Sequence, residues 1–132
     1  MALTVLDAGV VIALLDANDT HHSSARESVR ECRERHDDLV VPASAYAEML
    51  VDPFRHGAGA VATVNSLLDS LPARVEPISR PIAARAARLR AEHNALRLPD
   101  ALVIATALAV DADLLLTTDR RWPKLDLHIA VI

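Results

Sequence analysis

Four carboxylates occupy positions from which they could act together on a charged substrate. Asp7 follows the first short apolar run, and Glu48 lies in a helical segment after the second. Asp100 opens an apolar helical segment, and Asp119 follows the apolar run after it. Like charges roughly 4 Å apart repel by about 4 kcal/mol at an effective dielectric of about 20, so such a cluster needs a cation or shifted pKa values. Because oxygen ligands alone suit Mg²⁺ or Mn²⁺, we predict a hard divalent cation at these acids.

The net charge is consistent with an acidic site. The chain of 132 residues has 18 acidic and 14 basic residues, which gives a net charge of -4. Without the four candidate acids the two kinds are equal in number, so the whole net charge can be assigned to the site. A protein that binds nucleic acid mainly by counterion release is usually basic. Any contact with nucleic acid must therefore depend on a local site or on bound metal ions.

Alternating strands and helices must position these acids. Short apolar runs predict strands at 3–6, 39–41, 74–78, 114–117 and 128–132. Helical patterns predict helices at 8–16, 43–51, 60–71, 81–93 and 101–110, a further helix around Ala25, Val29 and Cys32, and a break at 53–59. This alternation predicts an α/β fold in which helices cover both faces of a mostly parallel sheet of four to five strands.

Hydroxyl groups accompany the acids at the carboxyl ends of the predicted strands, where ligands bind in sheets of this kind. Ser44 lies one helical turn before Glu48 and shares its face. Thr117 and Thr118 directly precede Asp119. We expect these three hydroxyls to support the carboxylates by hydrogen bonding.

Each acid alone also has an ordinary structural explanation. Asp7 and Asp119 could cap helices. Asp100 could favour the helix dipole from a first turn, and Glu48 could be a partly exposed helix residue. The group favours a site, because four unrelated residues of this kind need not fall at one edge of the sheet.

Four segments resemble the successive acidic motifs of PIN-domain ribonucleases, in order and at the expected spacing. They are LDAGVVIAL at 6–14, PASAYAE at 42–48, LPDALVIATA at 98–107 and LLTTDRRW at 115–122. Within that family the chain looks most like the VapC toxins of bacterial VapBC toxin-antitoxin pairs. The resemblance covers nearly the whole chain and implies a single PIN-like domain at 1–132, with three α/β/α layers.

The resemblance implies an endoribonuclease that hydrolyses RNA phosphodiester bonds with a water activated by Mg²⁺ or Mn²⁺. It assigns Asp7, Asp100 and Asp119 to the metal, with Glu48 binding directly or through water. It also implies a homodimer and a cognate VapB-type antitoxin that inhibits the enzyme.

One position departs from the pattern of the resembled family. Ala8 and Gly9 occupy the two places after the first Asp, where that family usually has Thr or Ser. A hydroxyl that could bind a carboxylate or a metal-bound water is therefore absent there. Thr117 and Thr118 are the hydroxyls that could replace it.

Four arginines are the expected contacts to RNA, because each lies near a candidate acid in the sequence. They are Arg55, Arg97, Arg120 and Arg121. Each of them alone is also consistent with a solvated surface residue. Aromatic residues make up 2% of the chain, so base stacking has few candidates, of which Trp122 is nearest to the site.

Two other functions remain open on the sequence. A PIN fold that binds a partner without catalysis is one, because Ala8 and Gly9 weaken the expected site. A Mg²⁺-dependent phosphatase of the haloacid dehalogenase type is the other, but it needs an Asp where this chain has Gly9. One cysteine and no uncharged run of about 18 residues predict a cytoplasmic protein without a membrane segment.

Overall fold

The computed structural model describes residues 2–132, in which five parallel strands form one sheet and six helices flank it. The strands are β1 (Leu3–Leu6), β2 (Asp38–Pro42), β3 (Ala73–Glu76), β4 (Leu114–Thr117) and β5 (Ile129–Val131). The helices are α1 (Ala8–Leu15), α2 (His22–Glu34), α3 (Ala43–His56), α4 (Ala58–Ser70), α5 (Arg80–Glu92) and α6 (Leu98–Ala109). The predicted α/β fold with a parallel sheet is confirmed.

Strand β1 lies at the centre of the sheet, whose order is β3-β2-β1-β4-β5. The chain runs from β1 to β2 and β3 on one side, and β4 and β5 form the other side. In the parallel pairing of β1 with β4, Leu6 is opposite Leu116. Ligand sites in open parallel sheets lie beyond the carboxyl ends of the strands where the order reverses, which here is between β1 and β4.

The two elements that carry the first and third candidate acids are buried. Val5 and Leu6 of β1 are fully buried and lead directly into Asp7. Helix α6 starts with Pro99 in its first turn, a position that tolerates proline because the missing N–H has no partner there. Its buried residues are mostly small, which allows close packing; they are Ala101, Val103, Ile104, Ala105, Thr106 and Ala107. Packing therefore fixes where Asp7 and Asp100 enter the site.

The predicted break at 53–59 is wrong, because α3 continues through Pro53 to His56. Pro53 lies one turn from the end of the helix, so the backbone hydrogen bond that it removes is close to carbonyls that already lack partners. The break is confined to Gly57, whose φ of 110° ends α3 and precedes α4. Within residues 2–132, none of the helices has the length and apolar character needed to cross a bilayer.

A buried polar group occupies the amino end of the sheet, opposite the candidate site. Asp37 precedes β2, and its side chain is 1% exposed. Its Oδ2 accepts a hydrogen bond from the Thr4 hydroxyl at 3.3 Å and pairs with the Arg35 guanidinium at 2.9 Å. The Cys32 thiol lies against the same threonine oxygen at 3.9 Å. These contacts tie α2 and the start of β2 to β1.

Candidate active site

Asp7 lies buried at the carboxyl end of β1, with 8% of its surface exposed. Its Oδ1 accepts a hydrogen bond from the backbone N–H of Ala8 at 2.8 Å, so Asp7 caps α1. Its Oδ2 accepts a hydrogen bond from the Thr117 hydroxyl at 2.8 Å, which ties it to β4. The ordinary role of a helix cap is thus correct for Asp7, and it involves only one of the two carboxylate oxygens.

The electrostatic surroundings of Asp7 are unfavourable for a negative charge. Burial raises the pKa of the Asp7 carboxyl from its usual 3.8 to about 6, against the lowering effect of the bonds from Thr117 and Ala8. The negative charges of Glu48 and Asp100 raise this pKa further. Within residues 2–132, no cationic side chain forms an ion pair with Asp7. A bound cation would relieve this repulsion.

Helices α3 and α6 bring two further acids close enough for their charges to act on Asp7. Glu48 is exposed in the middle of α3, one turn after Ser44, and Asp100 is half-buried in the first turn of α6. Burial raises the pKa of the Asp100 carboxyl, the neighbouring Arg97 lowers it, and the charge of Asp119 raises it. The negative charges of Glu48 and Asp100 thus act on Asp7, and that of Asp119 acts on Asp100.

Asp119 closes a tight turn after β4 and does not cap a helix. Its Oδ1 accepts a hydrogen bond from the backbone N–H of Arg121 at 2.8 Å, and both its oxygens contact the Arg121 guanidinium, at 3.2 and 3.1 Å. These contacts hold the pKa of Asp119 below its usual value. The backbone N–H of Asp119 donates to Thr117 Oγ1 at 3.1 Å. Because the Thr117 hydroxyl also donates to Asp7, it links two of the acids.

The residue types fit a hard divalent cation, although the side chains are not gathered around one point. Among residues 2–132, no three acidic, histidine or cysteine side chains form a group ready to hold an ion. Arg97 pairs with Asp100 at 3.6 Å, and Arg121 pairs with Asp119 at 3.1 Å. All the candidate donors are oxygens, which Mg²⁺ and Mn²⁺ prefer, and buried Asp7 lacks a cationic partner. A cation would compete with these arginines for two of its ligands.

Thr118 and Ser44, the other two predicted hydroxyls, do not contact the carboxylates. Thr118 Oγ1 fills the space beside Gly9, so a Cβ at position 9 would overlap it. The Thr118 hydroxyl, from the loop after β4, thus occupies the space that a side chain at position 9 would need. Ser44 Oγ is buried and has no hydrogen-bond partner in the described part of the chain. An unpaired buried hydroxyl costs about 1–3 kcal/mol, which a ligand that hydrogen-bonds to it would recover.

The four arginines expected to contact RNA differ in their ion pairs and in their distance from the acids. Arg97 pairs with Asp100, and Arg121 pairs with Asp119. Arg120 is exposed and forms no ion pair within residues 2–132. Arg55 pairs with Asp52 at 3.7 Å at the exposed end of α3, and it has no contact with the four acids.

Sequence reasoning missed a cavity of about 350 Å³ that adjoins the acids. Asp119 lines it together with Trp122, Lys124 and His128. The one available signal was that Lys124 is the only lysine of the chain, five residues after Asp119. A larger cavity of about 1090 Å³ lies beside α2 at the amino end of β2, and none of the four acids lines it.

Comparison with known proteins identifies the family of the fold. The family model of the PIN domain matches residues 4–127. The structure is similar to that of VapBC2 from Rickettsia felis, bound to a DNA fragment from their promoter, with a TM-score of 0.77, 14% identity, and coverage of 98% of this chain and 98% of that chain. It is also similar to VapC20 of Mycobacterium tuberculosis, a toxin that cleaves the sarcin-ricin loop, with a TM-score of 0.68, 16% identity, and coverage of 85% and 86%.

A toxin-antitoxin complex from Klebsiella pneumoniae is a further structural neighbour, with a TM-score of 0.68, 22% identity, and coverage of 89% of this chain and 88% of that chain. At these identities the neighbours establish a shared fold and not a shared substrate. No curated protein matches this chain by sequence.

Proposed function

The chain belongs to the PIN-domain family, and on that premise we propose that it is a Mg²⁺- or Mn²⁺-dependent endoribonuclease and the toxin of a type II toxin-antitoxin pair. The observation that carries the proposal is the environment of Asp7. This carboxyl is buried, the negative charges of Glu48 and Asp100 act on it, and within residues 2–132 no cationic side chain pairs with it. A divalent cation bound at such a site would offset the repulsion between the carboxylates, so the site stabilises the bound cation.

A divalent cation held by Asp7, Asp100 and Asp119, with Glu48 binding directly or through water, would supply a nucleophilic water and offset negative charge on the phosphate. Thr117 supports this arrangement by donating to Asp7 Oδ2 at 2.8 Å. With the backbone N–H of Ala8 on the other oxygen, the Asp7 carboxylate has little rotational freedom. Its remaining lone pairs are therefore held in a fixed orientation.

Arg97 and Arg121 contribute positive charge at the same place. Each guanidinium pairs with an acid of the site, and each is largely exposed on its outer side, by 69% and 79%. A guanidinium binds phosphate and carboxylate with similar geometry, so both arginines can exchange an acid for a phosphate of bound RNA. Arg120 forms no ion pair within residues 2–132, so its guanidinium can contact RNA directly.

In-line attack by water on the phosphodiester leaves a 5′-phosphate and a 3′-hydroxyl end. The ribose 2′-hydroxyl is not the nucleophile, so this reaction does not need a pair of histidines. The four carboxylates and the neighbouring guanidinium groups are the chemical groups that the reaction requires of the chain.

The proposed partners are RNA, a VapB-type antitoxin and a second copy of the chain. The structural neighbours include toxin-antitoxin complexes, which supports the antitoxin. The uncompensated negative charge around Asp7 suits a basic side chain of such an inhibitor. We also propose that residues 1–132 form a single domain and that the protein acts in the cytoplasm.

The proposal is tested by mapping new 5′ ends in total bacterial RNA. The RNA is incubated with the purified, antitoxin-free protein, with and without Mn²⁺ or Mg²⁺, beside the Asp7→Asn and Asp119→Asn variants. Asp37→Asn is the matched control, because Asp37 is also a buried carboxylate bound to a threonine hydroxyl. We expect discrete cuts with 5′-phosphate ends that require the metal and that only the unaltered protein and the control produce. Equal cleavage by all four proteins, or by none of them, would contradict the proposal.

A partner-binding PIN fold without catalysis is the second candidate function. The observation that favours it is Gly9, where the side-chain hydroxyl usual in the resembled family is absent and Thr118 fills the space. On this alternative the protein binds Mn²⁺ and leaves RNA intact under all the conditions above.

A further inference from the structure

A cavity of about 350 Å³ opens directly beside the acidic site. It lies between the segment that follows Asp119 and strand β5, and Asp119 itself lines it. This volume is at the lower end of the range for small-molecule pockets, so it suits one nucleotide rather than a folded partner. Because Asp119 belongs to both the cavity and the acidic site, a molecule in the cavity would lie beside a ligand bound at the acidic site.

Basic side chains line the cavity and have no acidic partners. Arg120 and Lys124 form no ion pair within residues 2–132, and His128 contributes an exposed imidazole. The acid at the cavity, Asp119, is already bound by Arg121. The positive charge of Arg120 and Lys124 is therefore available to an anionic ligand such as a phosphate.

The remaining wall of the cavity is apolar. Trp122, Leu125, Leu127 and Ile129 line it and pack against the hydrophobic core on their other side. An apolar wall that includes an aromatic side chain suits a flat ring such as a nucleobase.

We propose that this cavity binds the nucleotide of single-stranded RNA that adjoins the scissile phosphate. Arg120 and Lys124 contact its phosphate, and the base lies against the wall formed by Trp122 and Ile129. This inference rests on the proposed ribonuclease function and adds to it a place where the enzyme reads sequence. An acidic peptide segment is the competing occupant, and the test includes it.

Trp122 is the only tryptophan of the chain, so its fluorescence reports on this cavity directly. The full chain is titrated in EDTA with each of the four nucleoside 5′-monophosphates, with inorganic phosphate and with a hexaglutamate peptide. We expect a saturable change in emission with at least one nucleotide and a much weaker response to phosphate or peptide, which lack the base. No saturable response to any nucleotide, or an equal response to phosphate or peptide, would overturn the proposal.

Matched variants assign the binding to the basic side chains. The double variant Arg120→Ala/Lys124→Ala is expected to weaken nucleotide binding roughly tenfold or more, because both phosphate contacts are lost. The control Arg85→Ala/Arg90→Ala removes two exposed arginines of α5 that do not line the cavity, and it is expected to bind as the unaltered chain does. Equal binding by all three proteins would contradict the proposal.

The two proposals fail in different ways. Titrations in EDTA do not depend on cleavage, so a saturable, variant-sensitive response without any RNA cleavage would overturn the ribonuclease and leave the nucleotide site standing. Metal-dependent cleavage at the same sequences and with the same KM in the Lys124→Ala variant would overturn the nucleotide site alone. The expected result is a raised KM for RNA and an unchanged kcat, because Lys124 is proposed to contact the phosphate of the bound nucleotide.

Discussion

A buried carboxylate lies at each end of the central strand β1, and each accepts a hydrogen bond from a threonine hydroxyl. At the amino end, Asp37 is bound by Thr4 at 3.3 Å. At the carboxyl end, Asp7 is bound by Thr117 at 2.8 Å. The side chain of Asp37 is 1% exposed, and Asp7 as a whole residue is 8% exposed. Local geometry alone would give them the same role.

Their charged neighbours differ. Asp37 pairs with the guanidinium of Arg35 at 2.9 Å, so its negative charge is compensated within the fold. Asp7 has no ion-pair partner within residues 2–132, and the negative charges of Glu48 and Asp100 disfavour its own negative charge. A compensated buried acid ties secondary-structure elements together, whereas an uncompensated one is arranged for a cation that the chain does not supply. We therefore propose that the carboxyl end of the sheet is the functional end, and that variants at the two ends have different effects.

The largest effect is expected on RNA cleavage. Asp7→Asn should reduce metal-dependent cleavage by a factor on the order of 10³, because it removes a charged ligand of the cation. Asp37→Asn should leave the rate per folded molecule unchanged, because Asp37 lies at the opposite end of the sheet. Initial rates on one RNA substrate, normalised to the folded fraction from circular dichroism, provide the comparison. A similar loss in both variants would show that the two ends do not differ in function.

The second effect concerns stability against pH. The pKa of Asp7 is raised to about 6 from 3.8, so the folded state binds its proton more tightly than the unfolded state. Below about pH 4 the Asp7 carboxyl is protonated in both states and does not destabilise the fold. As the pH rises to above 6 and this carboxyl ionises in the folded state, the fold loses up to about 3 kcal/mol of stability. In EDTA, Asp7→Asn should be more stable than the unaltered chain at pH 7.5, and this advantage should vanish near pH 4.

Urea unfolding of both proteins between pH 4 and 8 measures this dependence. Asp37→Asn serves as the control, since it should lower stability at pH 7.5 by removing a compensated charge. An Asp7→Asn difference that does not change with pH would contradict the description of Asp7 as a buried, uncompensated acid.

The third effect separates the two threonines. Thr117→Val removes the donor to Asp7 and should weaken Mn²⁺ binding by about 10- to 100-fold, as the loss of a group that orients a metal ligand does. Thr4→Val removes the donor to Asp37 and should cost roughly 1–3 kcal/mol of folding free energy without changing Mn²⁺ affinity. Calorimetric Mn²⁺ titration and urea unfolding of both variants distinguish these outcomes. The comparison fails if Thr4→Val alters the metal affinity as much as Thr117→Val.

The smallest effect is expected from the arginine that holds Asp119. Arg121→Ala should tighten Mn²⁺ binding by up to about fivefold, because a largely exposed ion pair contributes at most about 1 kcal/mol. The same variant should weaken RNA binding, because it removes a guanidinium that is proposed to contact phosphate. Arg35→Ala, at the other end of the sheet, is the control. Weaker Mn²⁺ binding by Arg121→Ala would show that this arginine supports the metal site instead of competing for it.

The sequence was sufficient for features that depend on neighbours along the chain. The strand at 3–6 and the order of strands and helices were predicted from apolar runs and helical spacing, and the structure confirms them. The helix through Pro53 was missed because one proline near a helix end weakens the helix less than the pattern of breaking residues suggests.

The features that sequence reasoning missed depend on contacts between distant parts of the chain. The overlap between position 9 and Thr118 joins residues 109 apart in the sequence, and no local pattern signals it. The pairing of Asp37 with Thr4 requires the register of β1 and β2. The cavity beside Asp119 forms only when β5 returns next to β4. Such contacts follow from the packed fold and not from residue spacing.

The most direct test of the account is Mn²⁺ binding itself, measured by electron paramagnetic resonance on the unaltered chain, Asp7→Asn and Asp37→Asn. We predict that the unaltered chain and Asp37→Asn bind Mn²⁺ with the same affinity, and that Asp7→Asn loses this binding. Undiminished binding by Asp7→Asn, or loss of binding by Asp37→Asn alone, would contradict the claim that uncompensated Asp7 and the neighbouring acids at the carboxyl end of the sheet form the metal site.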